Sequence, residues 1–68
     1  MSQDNLETLE GVLEAALKRE QAAFRFYDKL LTIHYRQSFM ADLLEQLKNE
    51  EAKHVRLIEK RLAKLRLA

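Results

Sequence analysis

The sequence contains no cysteine among its 68 residues. This excludes disulfide bonds, cysteine nucleophiles, thiolate zinc sites and iron–sulfur clusters. A chain this short buries too little apolar surface to be robustly stable alone, and small domains compensate with disulfides, a bound metal or self-association. With disulfides excluded, metal binding and self-association are the devices that remain.

Proline is also absent, and Gly11 is the only glycine. The strongest helix breakers are therefore almost missing, and alanine, leucine, glutamate, lysine, arginine and glutamine dominate the composition, which favours helix. We expect an all-α protein with one domain over residues 1–68. In such a helix Gly11 should simply be tolerated, at a cost of about 1 kcal/mol relative to alanine.

Neither sign of charge is in clear excess, since 12 basic and 11 acidic residues give a net charge of +1. Nucleic-acid binders carry a basic excess on one face, so we expect no nucleic-acid partner. No apolar run approaches the roughly 18 residues of a membrane span. The first residues lack the basic and apolar regions of a secretory signal, so we expect a soluble, cytoplasmic protein.

Apolar residues recur at alternating steps of three and four in both halves of the chain, which predicts two amphipathic helices. The first stripe consists of Leu6, Leu9, Leu13, Ala16, Glu20, Ala23, Tyr27, Leu30 and His34. The second consists of Met40, Leu44, Leu47, Glu51, His54, Ile58 and Leu65, with Arg61 interrupting it. We expect an antiparallel hairpin with helix 1 over about residues 4–34, a turn near 35–38 and helix 2 over about 38–66.

The ends of these helices carry few markers. Asp4 or Ser2 could cap helix 1, with Glu7 as the capping-box partner of Asp4. Ser38 is the expected N-cap of helix 2. Because neither glycine nor proline marks the turn, one continuous helix stays open as the structural alternative.

Three ionisable residues interrupt the apolar stripes: Glu20, Glu51 and His54. A buried carboxylate needs a partner because desolvation of its charge is expensive, and a bound cation neutralises it directly. Glu20 and Glu51 lie nearly equally far from the expected turn, so antiparallel packing should place them at the same height. His54 follows Glu51 by three residues and shares its face. An arginine or lysine partner that sets the packing register is the alternative for each carboxylate.

This pattern matches di-iron carboxylate bundles, in which two helices each give a Glu and two others each give a Glu-x-x-His. One hairpin supplies one helix of each kind, so a two-fold homodimer would supply the full set of ligands for two metal ions. Oxygen and imidazole ligands suit iron or manganese, and zinc is compatible with the same ligand types.

The segment Glu20-Gln-Ala-Ala-Phe-Arg-Phe-Tyr27 resembles the first ligand helix of the rubrerythrin branch of the ferritin-like superfamily, and Leu47-Lys-Asn-Glu-Glu51-Ala-Lys-His54 resembles its second. The resemblance implies Glu20, Glu51 and His54 as iron ligands and catalytic residues, with Tyr27 as a partner just outside the ligands. It implies a dimer that forms a four-helix bundle and acts as a ferroxidase, oxidising Fe²⁺ with dioxygen in iron storage or detoxification.

At half length, the chain is most similar to the encapsulated ferritins of that superfamily. There a two-helix protomer forms its site across a dimer interface, and the dimers form a ring inside a protein nanocompartment. This implies a homodimer, a higher oligomer of dimers, and a shell protein as partner. Arg19 and Ala22 stand where that family carries acidic residues of an iron-entry site, and Phe26 stands where a tryptophan is frequent.

Two other interpretations stay open from the residues alone. One is a metal-free helical hairpin that serves as an interaction and dimerisation module, and the other is a fragment of a larger ferritin-like protein. Two further ionisable residues are not expected to bind metal. Glu50 should be solvated or ion-paired, and His34 should lie at the surface near the turn.

Overall fold

The computed structural model describes residues 5–67, which form two α-helices joined by a short turn. Helix α1 spans Leu9–His34 and helix α2 spans Ser38–Leu67. Ion pairs join the two helices both near the turn, between Asp28 and Lys48, and near the open end, between Glu10 and Arg66. The helices therefore run antiparallel. The expected all-α hairpin is confirmed, and the alternative of one continuous helix is wrong.

Helix α1 begins later than we expected. Thr8 is its N-cap, with an extended backbone (φ −114°, ψ 154°), and its hydroxyl accepts a hydrogen bond from the Gly11 amide at 3.0 Å. The amide of Glu7 donates to the side-chain oxygen of Asn5 at 3.2 Å. Such local side-chain bonds compete with helix formation, which explains why residues 5–8 stay outside the helix. The proposed caps Ser2 and Asp4 lie outside the described residues.

Gly11 is buried and has a specific role that its sequence context did not predict. A Cβ atom at this position would overlap the carbonyl oxygen of Asn5 and would lie 3.0 Å from the Thr8 hydroxyl oxygen. Only glycine therefore lets the segment that precedes α1 fold back against its first turn.

The turn between the helices consists of Tyr35, Arg36 and Gln37. The Gln37 amide donates to the carbonyl of His34 at 3.0 Å, and the Ala41 amide donates to the carbonyl of Gln37 at 2.8 Å. Tyr35 keeps right-handed helical angles, and no residue within 5–67 has a positive φ, so the turn requires neither glycine nor proline. The expected N-cap Ser38 is wrong: Ser38 is the first residue of α2, since Gln37 accepts the first bond.

The hairpin buries very little. Leu44 and Leu62 are the buried apolar side chains within residues 5–67, at 4% and 3% exposure, whereas ten large apolar residues there are between 41% and 87% exposed. The molecule is only 12 Å thick along its shortest axis. The second apolar stripe is interrupted at Arg61 because Leu62, and not Arg61, is the buried residue in that turn of α2.

The hairpin has two different faces. The surface that we call the ion-pair face carries the salt bridges between helices, formed by Glu10, Glu14, Asp28, Lys48 and Arg66. Helical spacing places two other rows together on the opposite surface, which we call the site face. It consists of Val12, Ala16, Ala23 and Phe26 of α1 and Leu43, Glu50, His54 and Leu57 of α2. The uncovered apolar side chains Val12, Phe26, Leu43 and Leu57 thus share one surface.

The helices described within residues 5–67 are not sufficiently long and apolar to cross a membrane.

Candidate metal centre

Glu20, Glu51 and His54 converge at the edge of the site face. One possible ligand atom from each residue lies within 4.8 Å of the others. The Nδ1 atom of His54 is 3.6 Å from an Oε2 atom of Glu20 and 3.7 Å from Oε2 of Glu51. The structure therefore brings together the three residues that the interrupted stripes singled out, and their role as metal ligands stays a prediction.

The backbone positions of these residues are fixed by regular helix. Glu20 lies near the middle of α1, while Glu51 and His54 are three residues apart near the middle of α2. At this spacing the side chains of Glu51 and His54 point to one side of the helix. Placement on helices holds a group of ligands more precisely than placement on loops does.

Burial is uneven across the cluster. The side chain of Glu51 is 18% exposed, that of Glu20 is 30% exposed and that of His54 is 49% exposed. His54 lies beside the packed stripe of α2 rather than within it. The next residue, Val55, is less exposed than His54. The cluster is therefore closed towards the helix interface and open towards the site face.

One oxygen of the Glu51 carboxylate has an unusual environment. Its Oε2 atom is buried and has no hydrogen-bond partner among residues 5–67. The Nδ1 atom of His54 is 3.7 Å away, beyond the roughly 3.2 Å limit of a good hydrogen bond. Buried polar atoms are nearly always paired, so this oxygen marks a place where a hydrogen-bond donor or a cation fits.

The charges and donor types also fit a cation. The cluster consists of two carboxylates and one imidazole. Carboxylate oxygens together with an imidazole nitrogen suit iron, manganese or zinc. The three side chains present therefore fit the ligand set expected of half a di-iron centre.

Tyr27, Glu50 and His34 lie outside the cluster. The ring of Tyr27 packs on that of Phe26 with centroids 5.6 Å apart, and within residues 5–67 no hydrogen bond joins its hydroxyl to Glu20 or Glu51. A role for Tyr27 beside the ligands thus stays a prediction. Glu50 is exposed and lies 3.6 Å from Lys53, as expected of a solvated ion pair. His34 ends α1 and is only partly exposed.

Sequence reasoning missed a second feature, a groove on the ion-pair face that brings Arg25 and Arg56 together. These residues belong to different helices and interrupt no apolar stripe. Only the register between the helices relates them, so the sequence pattern gave no signal for the groove.

Comparisons of the chain with protein-family models, curated proteins and solved structures found no match. The ferritin-like resemblance therefore rests on the residues themselves.

Proposed function

We propose that this chain forms a homodimeric, ferritin-like four-helix bundle that binds two ferrous ions and oxidises them with dioxygen, in iron storage or detoxification. The observation that carries the proposal is the convergence of Glu20, Glu51 and His54, with one buried oxygen of Glu51 that has no hydrogen-bond partner in the described part of the chain. Iron is here the substrate as well as the bound ion.

The requirement for a dimer follows from the number of ligands. Three side chains per hairpin are too few for two ions, and a two-fold axis beside the cluster doubles them to a complete set. The cluster opens on the site face, and the exposed side chains of Leu43 and Leu57 lie on the same row of α2 as His54. A second copy packed on this face would cover those leucines and close the centre.

Each residue has a defined task in this proposal. The carboxylates of Glu20 and Glu51 would hold the ions and neutralise part of their charge, and the imidazole of His54 would donate a nitrogen lone pair. The bound ions supply the redox chemistry, while the chain supplies ligand geometry and limits access of water. Manganese or zinc would use the same ligands.

Metal analysis of the purified protein after incubation with ferrous iron tests the ligand assignment. We expect roughly one iron per chain, with loss of binding in Glu20→Ala and in His54→Ala. Glu45→Ala is the matched control because Glu45 is an exposed carboxylate of the same helix that lies outside the cluster, so it should retain iron. Retention of iron by both ligand variants would contradict the assignment. Ferroxidase activity is measured separately, as oxygen consumption above the uncatalysed rate.

The proposed assembly continues beyond the dimer. By the family resemblance, dimers would associate into a larger ring, with a shell protein as partner. Light scattering over a range of concentrations measures the first of these expectations, and a uniform dimer at every concentration would remove it.

The sparse core supports a second candidate function, a metal-free interaction module. Two buried leucines leave the described hairpin dependent on association whether or not it binds metal. His54 and the two carboxylates would then set the register between helices. A chelator discriminates the two functions, since it should lower the melting temperature of the metal-binding dimer and leave that of the metal-free module unchanged.

A further inference from the structure

The ion-pair face contains an open groove of about 350 Å³, lined by Gln21, Phe24, Arg25, Ala52, Val55 and Arg56. We propose that this groove binds a small amphipathic anion, with an aromatic or short aliphatic body and a single carboxylate, sulfonate or phosphate group. Binding sites for small ligands typically have volumes of about 300–1,000 Å³, so the groove is at the small end of that range.

The groove is separate from the candidate metal centre. Ala52 directly follows Glu51 and Val55 directly follows His54, but successive helical residues point about 100° apart. The groove residues are therefore turned away from the site face, towards the side where Asp28 pairs with Lys48. A dimer that covers the site face leaves this groove accessible.

The floor of the groove suits an apolar body. Phe24 comes from α1, while Ala52 and Val55 come from α2, and all three are only partly exposed. The small side chain of Ala52 leaves space between the two helices, and the Phe24 ring provides a flat surface on which an aromatic group can pack.

The rim of the groove suits an anion. Arg25 and Arg56 are exposed, one on each helix, and neither has an ion-pair or hydrogen-bond partner among residues 5–67. By contrast, Lys48 and Arg66 on the same face are paired with carboxylates. No acidic residue lines the groove. Guanidinium groups bind carboxylate, sulfonate or phosphate oxygens in a two-pronged arrangement, and here two of them flank one apolar floor.

Lys48 adds to the positive potential at the end of the groove that Phe24 lines. Its Nζ atom lies 6.0 Å from the centroid of the Phe24 ring, although its charge is shared with Asp28 at 3.4 Å. The charge that an incoming anion would neutralise is therefore that of the two arginines.

The test is a fluorescence titration of the full chain with 1-anilinonaphthalene-8-sulfonate and with N-phenyl-1-naphthylamine, its analogue without the sulfonate. We expect one sulfonate probe per chain, bound at least about tenfold more tightly than the uncharged analogue. Arg25→Gln and Arg56→Gln should each weaken the binding of the sulfonate about tenfold. Arg36→Gln, which removes a guanidinium at the turn, is the matched control and should change nothing.

Two further variants separate the groove from other apolar surfaces. Ala52→Phe fills the floor and should weaken the binding of both probes. Leu67→Ala should leave both affinities unchanged, because Leu67 is an exposed apolar residue outside both the groove and the site face. Circular dichroism verifies that each variant is folded. Equal affinity for the two probes, or equal weakening by Arg36→Gln and the groove variants, would overturn the proposal. A sulfonate affinity that both groove arginine variants leave intact would do the same.

Discussion

Replacement of Glu51 by leucine should stabilise the metal-free protein and abolish its response to metal. The side chain is 18% exposed, and its Oε2 atom is buried with no hydrogen-bond partner among the described residues 5–67. An unsatisfied buried polar group costs about 1–3 kcal/mol, more when it is charged. Leucine has a similar volume and no such group, so we expect the free energy of unfolding to rise by roughly 1–3 kcal/mol in the presence of a chelator.

Added metal should offset this difference in stability between the variant and the wild-type chain. A ligand at about 100 times its dissociation constant stabilises the folded state by about 2.7 kcal/mol, and this gain is available only when Glu51 is present. The wild-type chain should therefore approach or exceed the variant once Mn²⁺ or Zn²⁺ is added, while the variant should not respond. For a domain of this size, about 1 kcal/mol corresponds to a change of about 4–8 °C in Tm.

The assay is thermal unfolding followed by circular dichroism at one fixed protein concentration, with chelator or with metal. Glu45→Leu is the matched control, since Glu45 is an exposed carboxylate of the same helix outside the cluster. It should change stability by less than about 0.5 kcal/mol and keep the metal response. If Glu51→Leu lowers the Tm of the metal-free protein, the carboxylate is satisfied in solution and the argument from its unpaired oxygen fails.

Three other substitutions test the helix start and the association surface. Gly11→Ala should lower the Tm, although this change usually stabilises a helix by about 1 kcal/mol, because the new Cβ would overlap the carbonyl oxygen of Asn5; a rise in Tm would show that the preceding segment does not pack there. Thr8→Ala should destabilise the protein by about 1 kcal/mol through loss of the N-cap, and Thr8→Ser should restore most of it in urea unfolding. Leu57→Glu should shift the protein towards monomer in sedimentation velocity and should also weaken metal binding. Leu67→Glu, at an exposed position outside the site face, should have neither effect. If the dimer tolerates Leu57→Glu, the interface lies elsewhere.

Much of the hairpin could be predicted because helical periodicity is a local property of the chain. The end of α1 at His34 and the start of α2 at Ser38 both agree with the expected turn. The start of α1 could not be predicted in the same way. The apolar stripe continues upstream of Thr8 to Leu6, but the side-chain hydrogen bond of Asn5 and the cap formed by Thr8 hold that segment outside the helix.

The cluster could also be predicted, since residues equally far from an antiparallel turn come to the same height. Its uneven burial could not, because the stripe assigned His54 to the interior. The exact rotation of α2 decides this point: Leu44 and Leu62 point inward, and His54 is then turned towards the site face. Such a rotation depends on the packing of both helices at once, which one helix's periodicity does not determine.

The two deficits of the hairpin lie on the same surface, and this links the proposed metal site to assembly. The apolar side chains of Leu43 and Leu57 are exposed, and the buried Oε2 atom of Glu51 has no hydrogen-bond partner within residues 5–67. Monomeric binding of metal would satisfy the carboxylate and leave the leucines in water, whereas a metal-free dimer would cover the leucines and bring the carboxylates of two copies together. Like charges that approach in a low dielectric repel strongly. In the proposed dimer, bound metal neutralises the carboxylates that association brings together, and association covers the leucines that metal binding alone leaves in water. Metal therefore favours association, and association favours metal binding.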